Sequence, residues 1–234
     1  MMNLPSVGVH RAAAVAAVAV FAFLLLAFAM VTGWTAPLDR AVVEDFHSHA
    51  RANQSLADLA RVVTAIGSIW SVALITALVA AGLVVAGRLH TAGSWLAAVA
   101  GGGAFEQLLK WSFRRPRPVF SDPLVSETTW GFPSGHTFGS VVCFGMAAYL
   151  LAAAAPGRRG RSAAVTAAAL VVCVGFSRLY LGAHYPSDVL GSFGAGIFWL
   201  ASVIAVEQST RARLAPNNRV LSSTQTGRPE LSER

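Results

Sequence analysis

The sequence predicts an all-α, polytopic membrane protein with six transmembrane helices. The chain has 234 residues, of which 55% are hydrophobic and 12% are charged, and this charged share is about half that of an ordinary soluble domain. Its mean hydropathy is +0.57, and charge-free segments fill most of the chain up to Glu207. These observations argue against a soluble globular protein and leave no room for a separate soluble catalytic domain.

The gaps between charged residues locate the six spans, because a bilayer core of about 30 Å needs about 20 apolar residues of helix. The predicted spans cover residues 12–38, 62–87, 92–111, 135–155, 162–180 and 187–206. Residues 34–61 are predicted to form a surface loop with an amphipathic helical piece, and no chemistry is assigned to them. Residues 113–133 contain four prolines and are predicted to form a loop, since proline blocks helix continuation.

The six spans are assigned to one membrane domain, residues 1–210, followed by a polar tail, residues 211–234, that is predicted to be disordered. The triplet Ala27-Phe28-Ala29 has the small-x-small pattern of a signal-peptidase site. Its apolar segment is long and only Arg11 precedes it, which argues against cleavage. Cys143 and Cys173 both lie inside apolar segments, so neither a disulfide framework nor a cysteine metal site is supported.

Arginine distribution predicts the orientation of the chain. Six crossings place both termini on one side, and cytoplasmic termini would gather eight arginines on the inside, at positions 11, 88, 158, 159, 161, 211, 213 and 219. The positive-inside rule therefore favours cytoplasmic termini. The formal net charge of +7 is accordingly assigned to topology and to anionic lipid headgroups, and no nucleic-acid partner is expected.

Three polar clusters interrupt the apolar pattern in the second half of the chain. They are Lys110 with Arg114, Arg115 and Arg117, then Ser134-Gly135-His136, and then Ser177-Arg178 with His184 and Asp188. They lie at the end of the third span, the start of the fourth, the end of the fifth and the start of the sixth. Because consecutive spans alternate in direction, all four helix ends lie at the same membrane face. We therefore expect the three clusters to meet.

Such a convergence of cations and histidines is suited to phosphate chemistry. Guanidinium groups bind phosphate oxygens bidentately, and a helix that opens at Ser134 and Gly135 offers free backbone N–H groups to the same anion. A neutral histidine can attack phosphorus when a carboxylate holds its other ring nitrogen, as Asp188 can for His184. His136 is placed to protonate the departing oxygen, after which water would cleave the phosphohistidine.

The three clusters together resemble the motifs of the type 2 phosphatidic acid phosphatase superfamily. Residues 110–118 (KWSFRRPRP) are similar to its K-x6-R-P motif, residues 133–136 (PSGH) to its second motif, and residues 177–188 (SRLYLGAHYPSD) to SR-x5-H-x3-D. The resemblance covers residues 110–188 and implies a helical-bundle phosphatase core of the six-helix membrane branch. It implies a metal-independent enzyme with catalytic residues His184 (nucleophile), Asp188 (its partner) and His136 (acid), and a phosphate site of Lys110, Arg117, Ser134, Gly135 and Arg178.

Several side chains near the motifs have simpler interpretations. Arg114 and Arg115 lie off the motif positions and are expected at a solvated or headgroup-facing surface. Glu106 lies one turn before Lys110 and is expected to be its structural ion-pair partner. A metal site at His184 and Asp188 is a competing reading, but four nearby cations would repel a divalent ion. We therefore expect neither a metal nor a cofactor.

Other functional classes fit the sequence less well. An anion transporter would explain the basic clusters but not the histidines. A catalytically silent scaffold would not need to keep every motif position, and the related vanadate haloperoxidases are soluble.

The expected substrate is a lipid phosphate, with a polyprenyl pyrophosphate such as undecaprenyl pyrophosphate first and phosphatidate or phosphatidylglycerophosphate second. The site is expected at the outer face of the cytoplasmic membrane. The oligomeric state and the number of phosphates recognised stay open.

Overall fold

The computed structural model describes residues 4–214, which fold into eight helices and one long loop, with no β-strand in that range. In chain order the helices are α1 (Leu4–Val31), α2 (Ala36–Ala52), α3 (Gln54–Ile66), α4 (Ile69–Val85), α5 (Leu89–Phe113), α6 (Gly135–Ala154), α7 (Arg158–Tyr180) and α8 (Pro186–Leu214). The expected all-α architecture is confirmed.

Five segments of the described chain are long and apolar enough to cross a membrane. They are Val7–Val31, Gln54–Val85, Gly135–Ala154, Arg158–Tyr180 and Pro186–Arg213. Helix α5 has 25 residues and at 1.5 Å per residue is also longer than a bilayer core of about 30 Å. It carries Glu106 and Lys110 in its last turns, as the sequence predicted. With α5 included, the six expected spans are all present as long helices.

The segment between the first two spans differs from the prediction. A surface loop with an amphipathic helical piece was expected over residues 34–61, but nearly all of this stretch is helical and forms α2 and the first part of α3. Helix α2 buries Asp39, Val43, His47 and Ala50, and it packs against α7 and α8. The prediction of a loop is therefore wrong for most of this segment, because the partners that bury these side chains are distant in sequence.

The second predicted span is interrupted near its start by a break between α3 and α4 at Gly67 and Ser68. The Ser68 hydroxyl accepts a hydrogen bond from the backbone N–H of Ser71 and so caps α4. A Cβ at Gly67 would lie 2.5 Å from Val174 Cγ1 and 2.7 Å from Ser140 Oγ. Only glycine fits at position 67, because the break between α3 and α4 lies so close to α6 and α7.

Helix α6 lies at the centre of the bundle and packs against α4, α5, α7 and α8, while α1 packs along α8. The core around α6 includes the buried side chains of Trp95, Phe138, Cys143 and Met146. The indole N–H of Trp95 donates to the carbonyl of Thr76 at 3.1 Å, so this buried polar group is satisfied. The rigid core fixes the ends of the helices that carry the three motifs.

The loop of residues 114–134 is anchored over those helix ends by an aromatic side chain. Phe132 is fully buried, with its ring centroid 4.9 Å from that of Phe113 and 5.8 Å from that of Phe23. A Cβ at Gly191 would lie 2.4 Å from the Phe132 ring. Phe132 can therefore pack against α8 only because the helix has a glycine at this position. The predicted loop is confirmed.

The last helix is longer than expected. Helix α8 continues to Leu214, four residues past the predicted end of the membrane domain at 210. The predicted disordered tail thus begins within α8, and its remainder, residues 215–234, lies outside the described residues. The disorder of that remainder stays a prediction.

Candidate active site

A cavity of about 340 Å³ opens between α4, α5, α6 and the 114–134 loop. Its polar end is lined by Lys110, Arg117, Gly135 and His136, all of which the sequence assigned to the site. The rest of its wall is mainly apolar and includes Ile69, Val72, Val99, Phe138 and Val142. We call this space the anion cavity; it joins a cationic end to an apolar groove within the bundle.

Lys110 is almost fully buried, and its ammonium group anchors the loop. Its Nζ atom donates to the carbonyls of Trp130 and Pro133 at 2.5 and 2.9 Å. Glu106 Oε1 lies 3.3 Å from the same atom, in agreement with the expected ion pair. Two ammonium hydrogens therefore bond the loop, and Glu106 balances the charge. Lys110 thus fixes the position of the loop and places a positive charge at the cavity wall.

Arg117 connects the anion cavity to His184. Its Nη1 atom lies 2.8 Å from His184 Nε2 and 3.1 Å from the carbonyl of Ala183. Because arginine only donates, Nε2 must accept, and the ring proton is then on Nδ1. This tautomer directs the Nε2 lone pair toward Arg117, which lines the anion cavity, whereas His184 itself is fully buried behind it.

Asp188 lies behind the histidine, as the His-x3-Asp spacing predicted. Its Oδ2 atom is 3.5 Å from His184 Nδ1 and accepts the backbone N–H of Tyr185 at 2.9 Å. The separation from Nδ1 exceeds a normal hydrogen bond, and such contacts commonly tighten when substrate binds. Both side chains are fully buried.

Arg178 and Ser134, two of the predicted phosphate ligands, are also buried. Ser134 accepts a hydrogen bond from Thr137 Oγ1 at 3.2 Å, and its backbone N–H donates to the carbonyl of Asp188 at 3.2 Å. Arg178 Nη1 donates to Thr64 Oγ1 at 3.0 Å. The start of α6, the end of α7 and the start of α8 therefore meet around one site.

Glu127 is a site residue that the sequence analysis missed. Its carboxylate bonds the Nη2 atom of Arg178, lies 3.9 Å from Arg117 Nη2 and lines the anion cavity. Burial opposes its ionisation, but the charges of Arg178 and Arg117 outweigh burial and hold the pKa of Glu127 below its usual value. An ionised carboxylate thus contacts two of the predicted phosphate-binding cations. No spacing rule singles out this acid within the loop.

Arg115 and Asp39 were also missed. Arg115 Nη1 donates to Asp188 Oδ1 at 2.5 Å, and its Nη2 donates to Asp39 Oδ2 at 2.7 Å. The expectation of a solvated or headgroup-facing Arg115 is wrong, because two buried carboxylates hold its guanidinium. The sequence analysis also assigned no chemistry to residues 34–61. This assignment is incomplete, since Asp39 on α2 bonds Ser187, the residue that precedes Asp188. Arg114 is exposed, as expected.

The electrostatic environment keeps His184 neutral. Burial lowers the pKa of its imidazole well below the usual value, and the charges of Arg117 and Arg178 act in the same direction. A neutral imidazole is the form that can attack an electrophile, once Arg117 releases the Nε2 lone pair that accepts its hydrogen bond. Among the described residues, no group of three or more His, Cys, Asp or Glu side chains is placed to hold a metal ion.

Comparison with known proteins agrees with this geometry. Residues 91–211, just over half of the chain, match the PAP2 superfamily. The chain belongs to the PAP2 superfamily. The matched range includes all three motifs, so the resemblance drawn from the sequence is confirmed.

A curated protein and a solved structure, both from Bacillus subtilis, show the family likeness in more detail. The chain is 38% identical over 93 residues to phosphatidylglycerophosphatase B of strain 168, and this match covers 39% of the chain and 45% of the relative. It therefore spans less than half the length of that relative. The fold is similar to the crystal structure of a transmembrane PAP2 type phosphatidylglycerolphosphate phosphatase, with a TM-score of 0.76 and 25% identity over 87% of this chain and 98% of that one.

Proposed function

We propose that this PAP2 superfamily member hydrolyses a phosphate ester of a membrane lipid through a phosphohistidine formed on His184. The observation that carries the proposal is the anion cavity, whose cationic end adjoins an apolar groove between membrane helices. A ligand that satisfies both parts has a phosphate joined to a lipid. Lys110, Arg117, Ser134, Gly135 and Arg178 are proposed to bind the phosphate, and His184, Asp188 and His136 to carry the reaction.

The proposed reaction has two steps. His184 Nε2 attacks phosphorus, the bond from phosphorus to the lipid oxygen breaks, and His136 gives that oxygen a proton, so that a lipid alcohol leaves. Water then attacks the phosphohistidine while His136 takes its proton, and inorganic phosphate leaves with His184 restored. Arg117, which bonds Nε2, would turn to a phosphate oxygen as substrate enters. Asp188 stabilises the imidazolium that forms.

Phosphatidylglycerophosphate is the first candidate substrate. The curated relative and the solved structure described above carry the name of this lipid, whereas the sequence analysis placed a polyprenyl pyrophosphate first. The motif residues contact only phosphate, so the tail and headgroup must be distinguished by the apolar groove and the loop. We therefore propose phosphatidylglycerophosphate ahead of phosphatidate and undecaprenyl pyrophosphate.

Phosphate release from detergent-solubilised protein tests this proposal. Wild type, His184→Ala and the control His49→Ala are assayed with all three lipids in the presence of a metal chelator. We expect release by wild type and control, fastest from phosphatidylglycerophosphate, and background release by His184→Ala. Equal release by His184→Ala, or release that the chelator abolishes, would contradict the mechanism. Faster release from undecaprenyl pyrophosphate would restore the original order of substrates.

The proposed location is the outer face of the cytoplasmic membrane, with both termini inside. Val119, in the 114–134 loop, is highly exposed, and Arg159 is exposed at the opposite end of the bundle. In a Cys173→Ser background, a membrane-impermeant maleimide should label Val119→Cys but not Arg159→Cys in intact cells. The reverse labelling pattern would place the site on the cytoplasmic face.

A further inference from the structure

Asp39 is the most completely bonded carboxylate outside the predicted site. It lies in the first turn of α2 and is 2% exposed. Its Oδ1 atom accepts the backbone N–H of Ser187 at 2.9 Å, and its Oδ2 atom accepts the Ser187 hydroxyl at 2.6 Å and Arg115 Nη2 at 2.7 Å. These three bonds hold the pKa of Asp39 below its usual value although burial opposes them. Asp39 therefore presents a fixed negative charge to Arg115.

Arg115 is held at both ends of its guanidinium fork and over one face of its plane. Nη2 bonds Asp39, while Nη1 bonds Asp188 Oδ1 and the Ser187 hydroxyl, the latter at 2.6 Å. The guanidinium also lies over the ring of Tyr185, 4.6 Å from its centroid. A planar fork with partners at both Nη atoms cannot rotate without losing hydrogen bonds.

This arrangement determines which oxygen of Asp188 faces the histidine. Oδ1 is occupied by Arg115, so Oδ2 is left to accept the Tyr185 N–H and to face His184 Nδ1. The bond to the Tyr185 N–H resembles a capping box at the start of α8. Arg115 and the helix terminus together fix the carboxylate in the orientation that the histidine needs.

The charges of Asp39, Arg115 and Asp188 also affect how well the site stabilises a positive charge on His184. Two carboxylates, Asp39 and Asp188, share one guanidinium, so this group of three carries one net negative charge on the Nδ1 side of His184. Without the charge of Asp39, the guanidinium would interact with Asp188 alone and weaken the support that this carboxylate gives to an imidazolium. In a buried site such interactions are strong, because little water screens them.

We propose that Asp39 is a positioning residue for the phosphatase reaction, which acts through Arg115 to hold Asp188 in the orientation that His184 requires. The inference rests on the proposed function. Asp39 is absent from the wall of the anion cavity, so its loss is expected to slow phosphohistidine formation and to leave substrate binding nearly unchanged.

A double-mutant cycle tests this inference. Asp39→Asn should lower kcat by about 10- to 100-fold with KM within about twofold of wild type, the range typical of groups that orient catalytic side chains. Arg115→Gln should lower kcat at least as much. If Asp39 acts through Arg115, then Asp39→Asn should have no further effect on kcat in the Arg115→Gln background.

Asp122→Asn is the matched control. Asp122 also joins α2 to the 114–134 loop, through Arg51 Nε at 2.6 Å and His47 Nε2 at 3.3 Å, but it touches neither Arg115 nor Asp188. We expect this variant to keep kcat within about twofold of wild type and to have the same small effect with or without Arg115. A general loosening of α2 would instead lower kcat in both the Asp39 and Asp122 variants.

Two results would overturn the inference: an Asp39→Asn enzyme with wild-type kcat, or an equal fall in kcat with and without Arg115. If Asp39→Asn does not fold, Ser187→Ala removes the hydroxyl that Asp39 and Arg115 share. It should lower kcat only when Arg115 is present, and a fall in the Arg115→Gln background would again overturn the inference.

Failure of the inference can be told apart from failure of the proposed function. Absence of phosphate release by wild type would defeat both, whereas an active wild type with an unimpaired Asp39→Asn variant would defeat the inference alone.

Discussion

The two ends of the helix bundle use arginine in opposite ways. At the end formed by the α4–α5 turn, the α6–α7 turn and the last turns of α8, the arginines are exposed, at positions 88, 158, 159, 161, 211 and 213. At the other end, Arg115, Arg117 and Arg178 are largely buried, and each contacts at least one carboxylate. The same side chain therefore serves as a headgroup-facing charge at one end and as part of a binding site at the other.

The difference shows what burial of a cation requires. Removing a charge from water is costly unless an opposite charge and hydrogen bonds replace the solvent. The buried end supplies Glu106 to Lys110, Glu127 to Arg178, and Asp39 with Asp188 to Arg115. The exposed end has fewer acids because water and lipid headgroups supply the counter-charge there. Acids that partner buried cations are thus part of the site even when they lie outside the motifs.

The largest effect is expected from removing one arginine at each end. Arg178→Ala should lower kcat/KM by about 10³-fold, because a fixed cation that stabilises a transferring phosphoryl group contributes about 3 to 4 kcal/mol. Arg158→Ala should stay within about twofold of wild type, since the side chain is exposed. Steady-state kinetics on both variants, with folding checked by size-exclusion chromatography, provide the measurement. Equal losses at the two ends would remove the distinction between them.

The next largest effect separates the two histidines. His136→Ala should slow hydrolysis of a lipid phosphate by about 10²-fold, because general acid catalysis typically contributes 10²–10⁴-fold. In the first turnover, the same variant should release p-nitrophenol nearly as fast as wild type, because this leaving group departs without a proton, although hydrolysis of the phosphohistidine then slows with either substrate. His184→Ala should be inactive on both substrates. An equal loss of the first-turnover rate on both substrates by His136→Ala would show that it does not act as the acid.

A smaller effect is expected at Glu127, the carboxylate that bonds a predicted phosphate-binding arginine. Inorganic phosphate must compete with this carboxylate for Arg178 and Arg117. Glu127→Gln should therefore lower the inhibition constant of phosphate by about 3- to 10-fold, the equivalent of about 1 kcal/mol. Glu44→Gln, at an exposed position on α2, is the control. Weaker phosphate inhibition in Glu127→Gln would mean that the carboxylate supports the anion instead of competing with it.

The smallest effect is a shift in the titration of His184. Because its folded pKa is lowered by burial and by nearby cations, the neutral imidazole should persist below pH 6.5, the usual histidine value. NMR of histidine-labelled protein, compared with His184→Ala to assign the signal, gives this pKa directly in the absence of substrate. A His184 signal that titrates above pH 6.5 would contradict the buried, cation-rich environment.

The sequence alone was sufficient for the long helices and the motif residues. Spans are determined by local composition, and the alternation of helix direction was enough to bring Lys110, His136, Arg178 and His184 to one end. Asp39, Arg115 and Glu127 could not be assigned in this way, because a loop residue or an amphipathic helix carries no periodic signal for its partner. Their roles depend on contacts across 51 to 148 positions of sequence.

The substrate order and the boundary of the tail show the same limit. Motif residues that contact only phosphate carry no information about the lipid, so the sequence placed the polyprenyl pyrophosphate first without support from the site. The sixth span was predicted to end at 206 and the polar tail to begin at 211, yet Arg211 remains helical and pairs with Glu207 one turn earlier. Local polarity marks the end of a span, not the end of a helix.

Trapping of the covalent intermediate tests the central claim most directly. Protein is mixed with a lipid phosphate that carries ³²P in its terminal phosphate, quenched in alkali to preserve phosphohistidine, and digested for mass spectrometry. We predict label on the peptide that contains His184, formed within the first turnover and absent from His184→Ala. Label on another residue, label that persists in His184→Ala, or full turnover with no labelled protein at any time would contradict the account.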